Sequence, residues 1–257
     1  MAFATLTRQQ LDGAFEAVGL QAGDGLLVHS AVQFLGKPEG GLPMYRDALQ
    51  AVIGPHGTLV VPAFSFEFAK TAQYDPATTP SQGMGVFSEF VRQQLAARRT
   101  LHPMQSVAAI GAAAEALAAC DMPSAFDDGS AFDRMLHADF KLLLLGADIQ
   151  AASMVHYSEQ RAAVPYRYWK DFAGQVNVGG EWQPRSYRMF VRDMDIDPQL
   201  HLAPIQAALQ ASADWYSVPL NHGHIAVCRL QDFVTATDAL LKLDPWALVS
   251  NRPEGVH

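Results

Sequence analysis

LLVHS (Leu26–Ser30) is a short apolar run that stops at a polar pair, and the same design returns in TLVVP (Thr58–Pro62) and KLLLLG (Lys141–Gly146). None of the three alternates apolar with polar residues. A strand with one wet face alternates, so continuous runs of this length read as strands buried on both faces, in a parallel or mixed sheet covered by helices. Between them, Tyr45–Ile53, Val86–Ala97 and Ala112–Ala119 place apolar residues at helical spacing. Ahead of the first run, Thr7 and Gln10 form a capping-box pattern before Leu11, Phe15 and Val18, and Gly19 closes that helix. This alternation predicts an α/β chain: a mixed, largely parallel central sheet in an α/β/α sandwich, with residues 1–257 as a single domain. Crevices in such sheets lie outside the carboxyl ends of the strands, so His29–Ser30, Pro62–Ser65 and Gly146–Asp148 are expected to meet in space.

After residue 165 the texture changes. Gln175–Val178 and Tyr187–Val191 flank Gly179–Gly180 as the uneven arms of a hairpin. A helix over Gln199–Ala211, a strand at His224–Arg229 and a helix over Gln231–Leu243 complete an elaborated C-terminal third. No linker-like tract separates it from the rest.

The 257 residues are long enough for a sizeable core, and 49% are hydrophobic against 17% charged, which excludes a disordered chain. The formal charge of −8 argues against nucleic acid, which needs a basic field over its phosphates, and favours a cationic or amine-bearing partner. No basic segment followed by an apolar stretch opens the chain, and no run reaches membrane-spanning length, so a cytoplasmic protein without a membrane partner is expected. Cys120 and Cys228 lie far apart without a metal-type spacing and are expected to remain free thiols.

Among the nine histidines, His156 opens VHYSE (Val155–Glu159). On a helix Glu159 falls at i+3, on the same face. A carboxylate there can hold one imidazole nitrogen and leave the other to take a proton from a nucleophile. The same spacing also fits an exposed helix pair worth a few tenths of a kcal/mol. His29 reads as a ligand contact or as a hydrogen-bonded core histidine, and His102, before Pro103, as a loop anchor. His201, His222 and His224 suggest a metal only if a further ligand joins them, and HExxH is absent. Nucleophile-elbow, dinucleotide and P-loop patterns are missing too, which leaves base-assisted direct transfer or hydrolysis. LGKPEGG (Leu35–Gly41) reads as a phosphate-facing turn at a helix start or as an ordinary connection, and YDPATTPSQGMG (Tyr74–Gly85) as a lid or a surface loop.

Taken in order, LLVHSAVQFLG, GGLPMYRDALQAVIGPHGTLVVPAFS, DPATTPSQGMGVFSEFVR, RRTLHPMQSVAAIG, KLLLLG, VHYSEQRAAVPYR and GHIAVCRLQDFV resemble the aminoglycoside 3-N-acetyltransferase family, over about residues 24 to 233. The resemblance implies an N-acyltransferase that uses acetyl-CoA or another acyl-CoA as co-substrate, needs no metal and is compatible with a homo-oligomer. It implies that His156 deprotonates the amine of an amino-sugar or aminoglycoside-like acceptor, that Glu159 orients it, and that the amine attacks the thioester directly. It also implies that Ser30, Val32, Leu35, Gly36, Lys37, Gly40 and Gly41 lie along CoA, with Ser106 and Val107 on its other side. Asp75 and Tyr74 would face the acceptor. The chain departs from the family pattern at Ala31, at Pro62–Ala63–Phe64 and at an extra Gly83, all near the expected mouth of the site. A non-catalytic CoA-binding protein and a metal-dependent hydrolase are the alternatives. Because CoA is anionic, the charge must be uneven: Asp75, Asp121, Asp127, Asp128, Asp133 and Asp139 are the acidic candidates, with Lys37, Arg98 and Arg99 for the phosphates.

Overall fold

The computed structural model describes residues 4–253; of the stretches read above, only Met1–Phe3 and the last four residues lie outside it. The main strands are β1 (Gly25–Ser30), β2 (Thr58–Pro62), β3 (Arg98–Arg99), β4 (Val107–Gly111), β5 (Lys141–Leu145), β6 (Arg167–Val178), β7 (Glu181–Arg192), β8 (Tyr216–Leu220) and β9 (Gly223–Arg229). The helices that matter here are α1 (Arg8–Ala17), α2 (Leu42–Ile53), α3 (Gly85–Arg92), α4 (Ala131–His137), α5 (Val155–Arg161), α6 (Ala203–Ala211) and α7 (Leu230–Leu243).

Seven strands form one sheet in the order β8-β9-β5-β1-β2-β4-β3. The three apolar runs are its centre, and their residues alternate between two cores. Leu27, Val60, Leu142 and Leu144 pack on one face with Phe132 and Met135 of α4, Val155 of α5, Ile205 of α6 and Phe233 of α7. Leu26, Val28, Leu59, Val61, Leu143 and Leu145 pack on the other with Phe15 of α1, Tyr45 of α2 and Phe87 of α3. Both faces are dry, which is why neither polar nor charged residues interrupt the runs, and each fully buried leucine contributes about 1.5–3 kcal/mol. The expected mixed α/β/α sandwich is therefore present.

Its parallel share is confined to the centre. β1 pairs parallel with β2 and with β5, whereas β2–β4, β4–β3, β5–β9 and β9–β8 are antiparallel. The expectation of a largely parallel sheet holds for β5-β1-β2 and not for the flanks. At the two outer edges the returns are short, residues 221–222 between β8 and β9 and residues 100–106 between β3 and β4, too few for a crossover helix.

The capping box of α1 forms as read, Gln10 N–H donating to Thr7 Oγ1 (3.2 Å) and Thr7 N–H to Gln10 Oε1 (2.9 Å). The hairpin turns at Gly179–Gly180, but its arms are even and twelve residues each, in register from Val178↔Glu181 to Arg192↔Arg167. The stretches beyond those read, Arg167–Gly174 and Glu181–Ser186, are exposed or half-exposed throughout and carry no regular apolar alternation, so the periodicity marked only part of each arm. β8 holds Pro219 and sits at the sheet edge, where a missing N–H costs no ladder bond. Among the described residues no helix is long and apolar enough to cross a membrane.

Candidate active site

Because β1, β2 and β5 are parallel, Ser30, Pro62 and Leu145 end at the same edge of the sheet. A cleft of about 410 Å³ opens there, lined by His29, Ser30, Pro62 and Phe64 from the strand ends, Met84 and Gly85 from the start of α3, and Ser153 and His156 from the segment after β5. The crevice thus lies where the strand order placed it. Two of its three expected segments reach it directly; the third, Gly146–Asp148, leads into the turn that does.

That turn sets the entry to α5. Asp148 caps the single turn Ile149–Ala151 by accepting from Gln150 N–H (2.8 Å). Gln150 then ties it to the C-terminal third, its side chain donating to Leu200 O (2.8 Å) and accepting from Leu202 N–H (3.0 Å). Helix α5 starts just beyond, and His156 in its first turn faces the cleft with 27% of its side chain exposed.

His156 Nδ1 and Glu159 Oε2 are 2.5 Å apart. Glu159 has no exposed surface. Burial pushes its pKa up, but the His156 hydrogen bond, the His156 charge and the Arg167 charge outweigh this and hold it below the ordinary carboxylate range. An anionic Glu159 accepts only, so Nδ1 carries a proton, and the neutral form of the ring presents its lone pair at Nε2. This is the arrangement a general base needs. Phe126 packs edge-on against the imidazole, ring centroids 5.9 Å apart.

His29, 4% exposed, lies at the floor of the cleft. Its Nε2 accepts from Ser153 N–H (3.3 Å) and lies 3.2 Å from Ser153 Oγ. Burial first, and the neighbouring His156 second, lower its pKa to about 4, so it is neutral. Of the two readings the sequence left open, the structure shows the hydrogen-bonded buried histidine, and its ring also lines the cleft. His102 is a loop anchor, as read. Its Nδ1 accepts from Gln105 N–H (3.2 Å), and burial lowers its pKa to about 4.

The residues expected along CoA divide into groups. Ser30 lines the cleft, and its buried Oγ has no hydrogen-bond partner among the described residues. Val32 and Leu35 sit in the core under the sheet. Gly36 is buried with φ 91°, and Lys37, Gly40 and Gly41 are exposed beyond it, Gly41 preceding α2. Ser106 and Val107 are buried; Ser106 Oγ donates to Ala63 O (2.7 Å) and accepts from Arg99 Nε (3.1 Å). The structure gives those two internal partners rather than a place on the cleft wall.

Asp75 and Tyr74 line a separate pocket of about 460 Å³, with Glu67, Gln82 and Trp182 of the hairpin. Asp75 Oδ1 accepts from Ala77 N–H (2.8 Å) and Oδ2 from Asn177 Nδ2 (3.2 Å). Tyr74 is wholly buried, donates its O–H to Thr100 O (3.0 Å), and lies under the Arg99 guanidinium.

The charge map also differs from expectation. Arg99 is buried and bonded to Ser106, Thr79 O and Ala63 O, and Arg98 pairs with Glu115. Asp121, Asp133 and Asp139 are engaged by Tyr187 and Arg185, by Tyr157, and by Arg229. Local sequence could not show this, because these partners of Arg98 and of the three aspartates lie 17 to 90 residues away along the chain. Gln33, Met84, Ser153 and Gln150 line the cleft without having been singled out; for Ser153 and Gln150, their place just after an apolar strand was the available signal. His201, His222 and His224 form no metal-holding group of three with other His, Cys, Asp or Glu among the described residues. Cys120 and Cys228 are free and buried.

The family model described as aminoglycoside 3-N-acetyltransferase matches residues 27–242. Aminoglycoside N(3)-acetyltransferase III from Salmonella sp is 32% identical over 182 residues, which is 63% of this chain and 63% of that protein, so the match spans less than two thirds of the relative's own length. Among solved structures, aminoglycoside acetyltransferase AAC(3)-IVa in complex with apramycin superposes with a TM-score of 0.79 at 27% identity, covering 98% of each chain. AAC-IIIb in its binary complex with CoASH shares the fold, with a TM-score of 0.82 at 23% identity, covering 97% of this chain and all of that one.

Proposed function

The chain belongs to the aminoglycoside 3-N-acetyltransferase family, and from that premise we propose that it moves an acetyl or other acyl group from acyl-CoA to an amine of an aminoglycoside or related amino sugar. His156 Nε2 removes a proton as the amine nitrogen attacks the thioester carbonyl. The new C–N bond forms, the C–S bond breaks, and the sulfur leaves to be protonated as CoASH. No acyl-enzyme is required, in keeping with two buried cysteines whose thiols burial pushes up in pKa. The observation that carries this reading is the 2.5 Å contact between His156 Nδ1 and a wholly buried Glu159 at the wall of the strand-end cleft.

The donor end of the cleft has groups that suit a thioester. Ser30 Oγ is buried without a protein partner, and α3 starts beside it with Met84, at its N-cap, supplying no side-chain cap, so backbone N–H groups there are left for a ligand. Asp75 and the Trp182 ring, in the adjoining pocket, are assigned to the acceptor, a carboxylate for an ammonium and an aromatic face for a sugar ring.

Replacing His156 by Ala tests the base. Acyl transfer should fall by at least about 10²-fold, the usual range for losing a general base, while acyl-CoA binding is kept. Unchanged turnover would leave a CoA-binding protein without this chemistry. A thiol-release assay with acetyl-CoA against aminoglycosides, nucleotide-linked amino sugars and simple amines then identifies the acceptor.

A further inference from the structure

Glu159 must be anionic to hold His156, yet complete burial opposes its charge. The groups that bear on it come from several elements. His156, on its own helix, donates to Oε2. Tyr166, just before β6, packs its buried phenol against the carboxylate, and its own pKa is raised by burial first and by Glu159 second. Arg167, the first residue of β6, brings Nε to 2.9 Å from Oε2 with only 10% of its side chain exposed. His29, on β1, bears on the imidazole and is neutral. The Arg167 Nε–H is not aligned as a hydrogen bond to the carboxylate, whereas Nη1 donates to Phe190 O (3.3 Å) on the facing arm β7. The hairpin backbone thus holds the guanidinium in place, and the guanidinium acts on Glu159 chiefly through its charge.

We propose that Arg167 is a positioning residue for acyl transfer: it keeps Glu159 ionised, and so keeps His156 with Nδ1 engaged and Nε2 free for the acceptor amine. The proposal rests on the general-base reading above. It has a signature on the pH axis. Because His156 and Glu159 share a hydrogen bond, the acid limb of the rate profile is read as a property of the two together. Removing a cation from beside them makes both members hold protons more tightly, so the limb moves to higher pH. A residue that only packed the strand would lower the whole profile without displacing it.

The experiment compares Arg167→Gln, Arg167→Lys and His156→Ala by kcat and KM for both substrates across acidic and neutral pH, with thermal unfolding alongside. Arg167→Gln is expected to lower kcat about 10-fold and to displace the acid limb upward by about one pH unit. Arg167→Lys keeps the charge and should leave the limb in place. KM for acyl-CoA should be unchanged in both. An unmoved limb in Arg167→Gln overturns the proposal. If that variant does not fold, Arg167→Met repeats the comparison, and failure of both neutral variants to fold assigns Arg167 to stability alone and also overturns it. Full turnover in His156→Ala is a different outcome, one that defeats the general-base reading itself.

Discussion

Protonating His29 should destabilise this protein, and the size of the effect follows from where the ring sits. Burial, then the neighbouring His156, lowers its pKa from 6.5 to about 4 in the folded chain. The unfolded chain therefore binds the extra proton between these values, and stability rises with pH across that window. The contribution is fully present above the unfolded value near 6.5 and is lost as pH falls to about 4. From about pH 7 to about pH 5 the loss is about 2 kcal/mol, or about 4–8 °C in Tm for a chain of this size. His29→Gln removes the titration and offers an amide oxygen in place of Nε2 to Ser153 N–H. Urea and thermal unfolding of both proteins at the two pH values should show the wild type losing about 2 kcal/mol more than the variant. His102, also lowered to about 4 by burial, adds a similar loss to both proteins and does not affect the difference. Equal pH dependence in wild type and variant would refute a neutral, buried His29.

Further outcomes follow from individual residues. Glu159→Gln should lower kcat at least about 10-fold, since an amide cannot hold His156 as an anion does; kinetics at saturating substrates check this. Ser106→Ala should cost about 1–3 kcal/mol in urea unfolding, because Ala63 O and Arg99 Nε lose a buried partner. Gly146→Ala should cost about 1–3 kcal/mol, since the residue has φ 74° and a Cβ there would lie 2.7 Å from Ala31 O. Cys120 and Cys228, both buried and both pushed up by burial, should resist thiol reagents in the native protein and react on unfolding. Reaction of either thiol in the native state would contradict their burial.

The His156–Glu159 contact was legible because its geometry is local. His156 and Glu159 are three residues apart, and any helix brings that spacing onto one face. The three apolar runs were equally legible, since a strand covered on both sides has no place for a solvated residue. Ser106 and Arg99 were not, because their hydroxyl and guanidinium are engaged by Ala63 O and by one another, and nothing near 99 or 106 in the chain signals that. Asp75 was placed correctly on a polar loop, but that its pocket is shared with Trp182 depends on how a hairpin about a hundred residues away folds back.

By itself, then, the sequence determined the layers, the strand ends and the helical pair, all of which depend on side-chain periodicity over a few residues. The tertiary structure decided which of the candidates face the cleft, which charges are already paired, and that Arg167 from the hairpin stands beside Glu159. Those outcomes depend on register and on crossings between distant segments, and no local pattern encodes the partner a buried charge will meet.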